Sequence, residues 1–234
     1  MSDKPASEQA TVQETTAAEP ATIHIEVDFH LDNLPRRIIF DPPLSHEEFL
    51  SLGQNPVQCE RDEKGVIHMM TPTQDPTGRA NAELVRQVGN FAAEHGGTVW
   101  GPDAGFRLPN TSERSPDVAY VSPENSKDPV QGFADCPEFI IELMSSSNRP
   151  GESQEKMQMW INQGVKLGWL IDPYRQCVWI FRRGRPVDFR NTPFIQGEGP
   201  VEGFTLNLAP VWAIYKSILN PKPGSQPPPV KFRK

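Results

Sequence analysis

From Phe139 to Asp172 the chain reads strand, helix, strand, and that order constrains the fold more than any other feature. Pro137-Glu138-Phe139-Ile140-Ile141-Glu142-Leu143-Met144 is apolar at odd and even positions alike, the pattern of a central strand covered on both faces. The next segment predicts a helix over Pro150 to Gln163, closed by Gly164. Leu167-Gly168-Trp169-Leu170-Ile171-Asp172-Pro173 reads as a second buried strand ending in a turn, with Cys177-Val178-Trp179-Ile180-Phe181 folding back as its neighbour. Strand, helix and strand in so short a stretch make a βαβ unit with a right-handed crossover. The expected fold is α/β, with a mixed central sheet flanked by helices and a β-rich N-terminal extension.

The remaining punctuation fills in that plan. Ile23, Ile25, Val27 and Phe29 alternate with polar residues as a half-buried strand does. Ser45 and Glu48 have the spacing of a capping box at the start of a short helix. Val57–Cys59 and Val66–Met70 flank a turn at Asp62-Glu63-Lys64-Gly65, a hairpin pattern. Ala80, Leu84, Val88 and Phe91 recur at helical spacing over Gly78–His95, which Gly96-Gly97 ends. Thr98–Trp100, Phe106–Leu108 and Pro116–Val121 read as short strands, and Val211–Leu219 as a final helix. Residues 1–22 hold one valine and no aromatic residue, too little apolar surface to offset ordering, so a disordered tail is expected. Residues 219–234 read as a Pro-rich flexible tail, leaving 23–218 as a single domain without internal repeats.

Charge and motif content exclude several function classes. Thirty acidic against 23 basic residues give a net charge of -7, so the chain is no general polyanion binder. Contact with nucleic acid would need a local basic surface or a bound cation. The densest basic cluster, Arg182-Arg183-Gly184-Arg185, sits where a hairpin tip is expected, to touch phosphate or simply to keep the tip soluble. Cys59, Cys136 and Cys177 lack paired spacing, which argues against a disulfide framework and a zinc site and fits a reducing cytoplasm. No apolar run approaches the roughly 20 residues that span a bilayer, and nothing after Met1-Ser2-Asp3-Lys4-Pro5 predicts a secretory signal. The five histidines share no spacing, and GxSxG, P-loop and GxGxxG patterns are missing.

Three residues suggest chemistry. Glu142 shares a strand face with Ile140 and Met144, where an ionised carboxylate is costly unless a cation or strong donors meet it; the bland alternative places it beyond the sheet edge in water. Asp117 starts one strand while Glu142 ends the next, so antiparallel pairing brings both to one end of the sheet. Turn chemistry at Ser115-Pro116-Asp117 is the other account of that aspartate. Two converging carboxylates are relieved most simply by a divalent ion, and hard oxygen ligands favour Mg²⁺ or Mn²⁺. Lys156 lies in the buried stripe Ser153, Lys156, Met157, Trp160, Ile161, Gly164 of the following helix; it either snorkels past Trp160 or reaches the carboxylates. Glu83, on the preceding helix, is a weaker candidate for a further carboxylate, with a solvated surface position as its alternative.

At these residues the chain resembles the Uma-type restriction-endonuclease family, a branch of the PD-(D/E)XK nuclease fold. The resemblance spans about residues 66–215 and rests on ordered matches such as Gly78-Arg79-Ala80-Asn81, Gly105-Phe106-Arg107-Leu108-Pro109-Asn110 and Arg114-Ser115-Pro116-Asp117. It continues through Cys136-Pro137-Glu138-Phe139, Ile141-Glu142-Leu143, Glu155-Lys156-Met157-Gln158 and Leu167-Gly168-Trp169-Leu170-Ile171-Asp172-Pro173. It implies a metal-dependent nuclease core with Asp117 and Glu142 as the motif acids and DNA as substrate. The superfamily lysine, two residues after the second acid, is replaced by Met144, and Lys156 is the substitute. Where the family has Ser-Pro-Ser-Asp this chain has Ser145-Ser146-Ser147-Asn148, and Asn148 is expected to cap the helix as an aspartate would. The expected site is thus Asp117, Glu142 and Lys156, with the Leu143 carbonyl as a further ligand of Mg²⁺ or Mn²⁺. A homodimer suits cleavage of two strands. The other readings are an inactive nuclease fold kept as a binding or assembly module and a hydrolase of small phosphoesters.

Overall fold

The computed structural model describes residues 37–40, 42–52, 58–70, 72–128, 132–146 and 148–219. The strand expected at Ile23–Phe29, the strand position Val57 and the two tails lie outside the described residues, apart from Leu219. In chain order come β1 (Arg37–Ile38), α1 (His46–Leu52), β2 (Cys59–Arg61), β3 (Ile67–Met69) and α2 (Asp75–His95). The middle of the chain supplies β4 (Thr98–Trp100), β5 (Phe106–Arg107), β6 (Glu113–Arg114), β7 (Val118–Val121), β8 (Ala134–Asp135) and β9 (Phe139–Leu143). Next come α3 (Pro150–Gln163), β10 (Leu167–Asp172), β11 (Cys177–Arg182), β12 (Asp188–Arg190), β13 (Phe194–Gln196), β14 (Thr205–Asn207) and α4 (Ala209–Leu219).

The central sheet has the order β12-β11-β10-β9-β7-β4. β9 and β10 run parallel, Phe139 opposite Leu167 and Leu143 opposite Ile171, as a strand–helix–strand crossover requires. The other pairs are antiparallel, so the sheet is mixed as expected. Side-chain alternation divides the core between its faces. Phe139, Ile141 and Leu143 pack with Ala80, Leu84, Val88 and Phe91 of α2 and Val211, Trp212 and Tyr215 of α4. Ile140 and Met144 pack with Met157, Trp160 and Ile161 of α3. Glu142 therefore belongs to the face that α3 covers.

The fit of α3 depends on two glycines. Gly164 ends the helix at φ 127, a left-handed conformation that suits glycine, and its N–H donates to the carbonyls of Ile161 and Trp160. Gly168 on β10 lets the helix approach closely, since a Cβ there would stand 2.5 Å from Met157 Cε. Met157 follows Lys156, so this approach sets how deeply the lysine reaches toward the sheet.

A second six-stranded sheet, β1-β3-β2-β6-β5-β8, joins the expected hairpin to strands from the middle of the chain. Arg61 pairs with Glu113 in register, and its guanidinium donates to that buried carboxylate at 2.7 Å. Glu113 also meets His46 Nδ1 at 2.6 Å, tying α1 to this sheet. At the start of α1 the capping box forms: Ser45 N–H donates to Glu48 and Glu48 N–H to Ser45 Oγ, at 2.7 and 3.2 Å. The expected Asn148 cap does not form. Arg149 occupies the N-cap of α3 without a side-chain capping bond, and Pro150 follows at the position where a missing N–H costs nothing. Asn148 Oδ1 instead accepts from the N–H and Oγ of Ser145, at 2.6 and 2.9 Å, folding the serine segment on itself.

Candidate active site

Val118 lies opposite Ile141 in the antiparallel β7–β9 pair, so Asp117, one residue before β7, comes beside Glu142 near the end of β9. Both carboxylates line one cavity of about 940 Å³, with Leu143, Lys156, Thr77 of α2, and Glu60 and Met69 of the second sheet. Asp117 is held at both oxygens. Asn81 Nδ2 donates to Oδ1 at 2.6 Å, and Leu143 N–H donates to Oδ2 at 2.7 Å. Turn chemistry thus does not account for this aspartate, whose partners are a helix and the neighbouring strand.

Glu142 is held on the other side. Its Oε1 accepts from Trp160 Nε1 at 3.1 Å and pairs with Lys156 Nζ at 3.0 Å. Lys156 does not snorkel into bulk water; its ammonium also meets Glu60 Oε1 at 3.3 Å. The cavity gathers three carboxylates, Glu60, Asp117 and Glu142, against the charges of Lys156 and Arg114.

Electrostatics follow from that imbalance. Burial pushes the Glu142 carboxyl up to about 7; Lys156 opposes the rise and Asp117 and Glu60 add to it. Burial likewise raises Asp117, against the Leu143 N–H bond, the Lys156 charge and the Asn81 bond. Burial disfavours charge on Lys156 too, yet Glu142, Glu60 and Asp117 hold its ammonium above the usual lysine range. Glu60 is the acid that stays low: burial works against it, but Lys156, Arg114 and the Ser115 N–H more than offset that cost.

This donor set suits a hard divalent cation. Among the described residues no group of three or more His, Cys, Asp or Glu could hold a metal. A cation here would rest on the Asp117 and Glu142 carboxylates and complete its shell with neutral oxygens. Mg²⁺ is commonly bound by one or two carboxylates while keeping several waters. Two raised carboxylates side by side are also the charge that such an ion relieves.

Other candidates stand apart. Glu83 does not join the cavity: Arg86 and Gln87 donate to it, at 2.6 and 2.9 Å, and it borders a shallower hollow with Phe204 and Asn207. In the basic cluster, Arg182 is engaged by Glu198 and Asp188, while Arg183 and Arg185 lie at the surface. Sequence reasoning missed Glu60, Asn81 and the Trp160 donor. Asn81 was findable, since it interrupts the apolar stripe of α2 between Thr77 and Leu84 and is buried.

A protein-family model, Uma2, described as "Putative restriction endonuclease", matches residues 46–209. The chain belongs to the Uma2 family. The match begins ahead of the resemblance seen in the sequence and so takes in Glu60. A crystal structure of a "putative nuclease belonging to DUF820" from Anabaena variabilis has a similar fold, with a TM-score of 0.62 at 18% identity. The likeness covers 74% of this chain and 99% of that one. No curated protein matches the chain. The Uma2 match and this fold agree with a restriction-endonuclease-like core. Among the described residues no helix is long and apolar enough to cross a membrane.

Proposed function

We propose that this Uma2 protein is a metal-dependent endonuclease that hydrolyses phosphodiester bonds of DNA. The observation that carries the reading is the convergence of Asp117 and Glu142 on one cavity, with the Lys156 ammonium 3.0 Å from Glu142. Asp117 and Glu142 would hold Mg²⁺ or Mn²⁺, with the Leu143 carbonyl as a further ligand. Such an ion lowers the pKa of bound water and polarises the scissile phosphate. Asn81 and the Leu143 N–H fix the direction of Asp117, so its carboxylate is set before substrate arrives. Lys156 places a positive charge where phosphorane charge develops. It takes the part of the superfamily lysine, whose position is filled by the buried Met144.

The test is plasmid DNA incubated with Mg²⁺, with Mn²⁺ and with EDTA. Cleavage is expected with either cation and none with EDTA, and it should weaken as salt rises because binding to DNA releases counterions. Equal cleavage in EDTA contradicts the proposal. Faster turnover of a chromogenic phosphodiester than of DNA would favour a small-phosphoester hydrolase. Met144 in the lysine position favours one second reading, a nuclease fold kept for binding; retained DNA binding with no cleavage under any cation would select it. A homodimer suits cutting of both strands, and sedimentation of the protein with and without duplex DNA tests for one.

A further inference from the structure

Glu60 stands on β2, in the second sheet, yet it touches both arms of the candidate site. It is 4% exposed, and both of its oxygens are engaged. Oε1 accepts from Ser115 N–H at 3.0 Å and from Lys156 Nζ at 3.3 Å, while Oε2 pairs with Arg114 at 3.1 Å. Ser115 is two residues ahead of Asp117, and Lys156 is the partner of Glu142.

A buried carboxylate is expensive to keep unless charged groups and donors meet it, and the partners of this one belong to two arms of the candidate site. Lysine is a point charge on a flexible four-carbon stem, so an ammonium supplied from a helix needs a second anchor. With Glu142 as its only partner, Lys156 would close down on an acid that is needed as a ligand. Instead the ammonium is shared, 3.0 Å from Glu142 and 3.3 Å from Glu60. The Ser115 bond likewise ties the segment that delivers Asp117 to β2 of the second sheet.

We infer that Glu60 is a positioning residue: a buried anion on the second sheet that fixes the Lys156 ammonium beside Glu142 and tethers the Ser115–Asp117 segment. Its kinetic consequence rests on the nuclease reading; its contacts do not. Glu60→Gln keeps the shape and one acceptor oxygen but removes the charge. Turnover of Glu60→Gln should fall about 30-fold or more with KM for DNA within about twofold of the parent, a split that marks loss of transition-state positioning. Glu60→Gln combined with Lys156→Met should be no slower than Lys156→Met alone, within about threefold, because both act through one ammonium. Glu60→Asp should recover part of the turnover.

Hydrogen exchange gives a readout independent of cleavage. The Ser115 amide should exchange about tenfold faster or more in Glu60→Ala, which lacks the acceptor, and at the parental rate in Lys156→Met. If the parent cleaves no DNA, the nuclease reading fails while this exchange still decides the tether. Glu60→Gln turnover within twofold of the parent, multiplicative losses in the double variant, or an unchanged Ser115 amide in Glu60→Ala would each overturn the inference. Should Glu60→Ala not fold, Glu60→Gln and its double variant carry the test.

Discussion

Asp117→Ala is expected to lower the rate of DNA cleavage by about 10³-fold or more, roughly 4 kcal/mol of transition-state stabilisation, with the fold retained. The aspartate is one of two acids proposed to hold the cation, and no other described carboxylate stands ready to replace it: Glu60 is engaged at both oxygens and Glu83 lies elsewhere. Folding should survive because opposing effects meet at this position. Asn81 Nδ2 and the Leu143 N–H lose an acceptor, which costs about 1–3 kcal/mol per group if nothing replaces it. Leu143 and the Asp117 position line the cavity, so water can take up the space at the Leu143 N–H, and Glu142 loses a like-charged neighbour. Circular dichroism and a thermal melt check the fold alongside the plasmid assay. Cleavage at the parental rate, or loss of activity only through unfolding, would contradict the expectation.

Glu142→Gln should stabilise the cation-free protein at pH 8 by on the order of 3 kcal/mol and flatten its dependence on pH. The Glu142 carboxyl is pushed up to about 7 from an ordinary value of 4.5, chiefly by burial. Between those values the folded chain binds more proton than the unfolded one, so stability falls as pH rises through the window. The stabilisation is complete below the unfolded value and lost above about 7. Asp117, also raised by burial, adds a slope of the same sign beginning from its ordinary value of 3.8. Glu60 works in the opposite sense: its carboxyl is held low, so its contribution is present above the ordinary value of 4.5 and lost on acidification. Urea unfolding in EDTA from pH 5 to 8 reads the balance. The parent should weaken toward pH 8 and Glu142→Gln should weaken less; a flat or rising parental curve would refute the assignment. Added Mg²⁺ or Mn²⁺ should reverse the parental loss at pH 8 far more than at pH 5, because only deprotonated carboxylates bind the ion.

Much of the frame was legible because its signals are local. The run at Phe139–Leu143, apolar on both faces but for Glu142, the helix and the second buried run determine the parallel β9–β10 pair. Asp117 and Glu142 were then paired by strand order alone, since consecutive strands tend to be neighbours. Lys156 stood out as a charge within an apolar stripe. Glu60 gave no comparable signal. Its bond to Lys156 crosses 96 positions of sequence, and it sits in a three-residue strand between Cys59 and Arg61. The second sheet was similarly hidden, because β5, β6 and β8 are two residues each and too short to show a period. Asn148 misled for another reason: its side chain suits a helix cap, but Pro150 moves the cap position to Arg149 and leaves Asn148 to the serine turn.

Calorimetric titration of Mn²⁺ at pH 8 into the parent, Asp117→Ala and Glu142→Gln tests most directly whether the two acids share one ion. The parent should take up a single Mn²⁺ per chain with micromolar to millimolar affinity, and each substitution alone should abolish that binding. Uptake of the ion by either variant with parental affinity and stoichiometry would contradict the shared site.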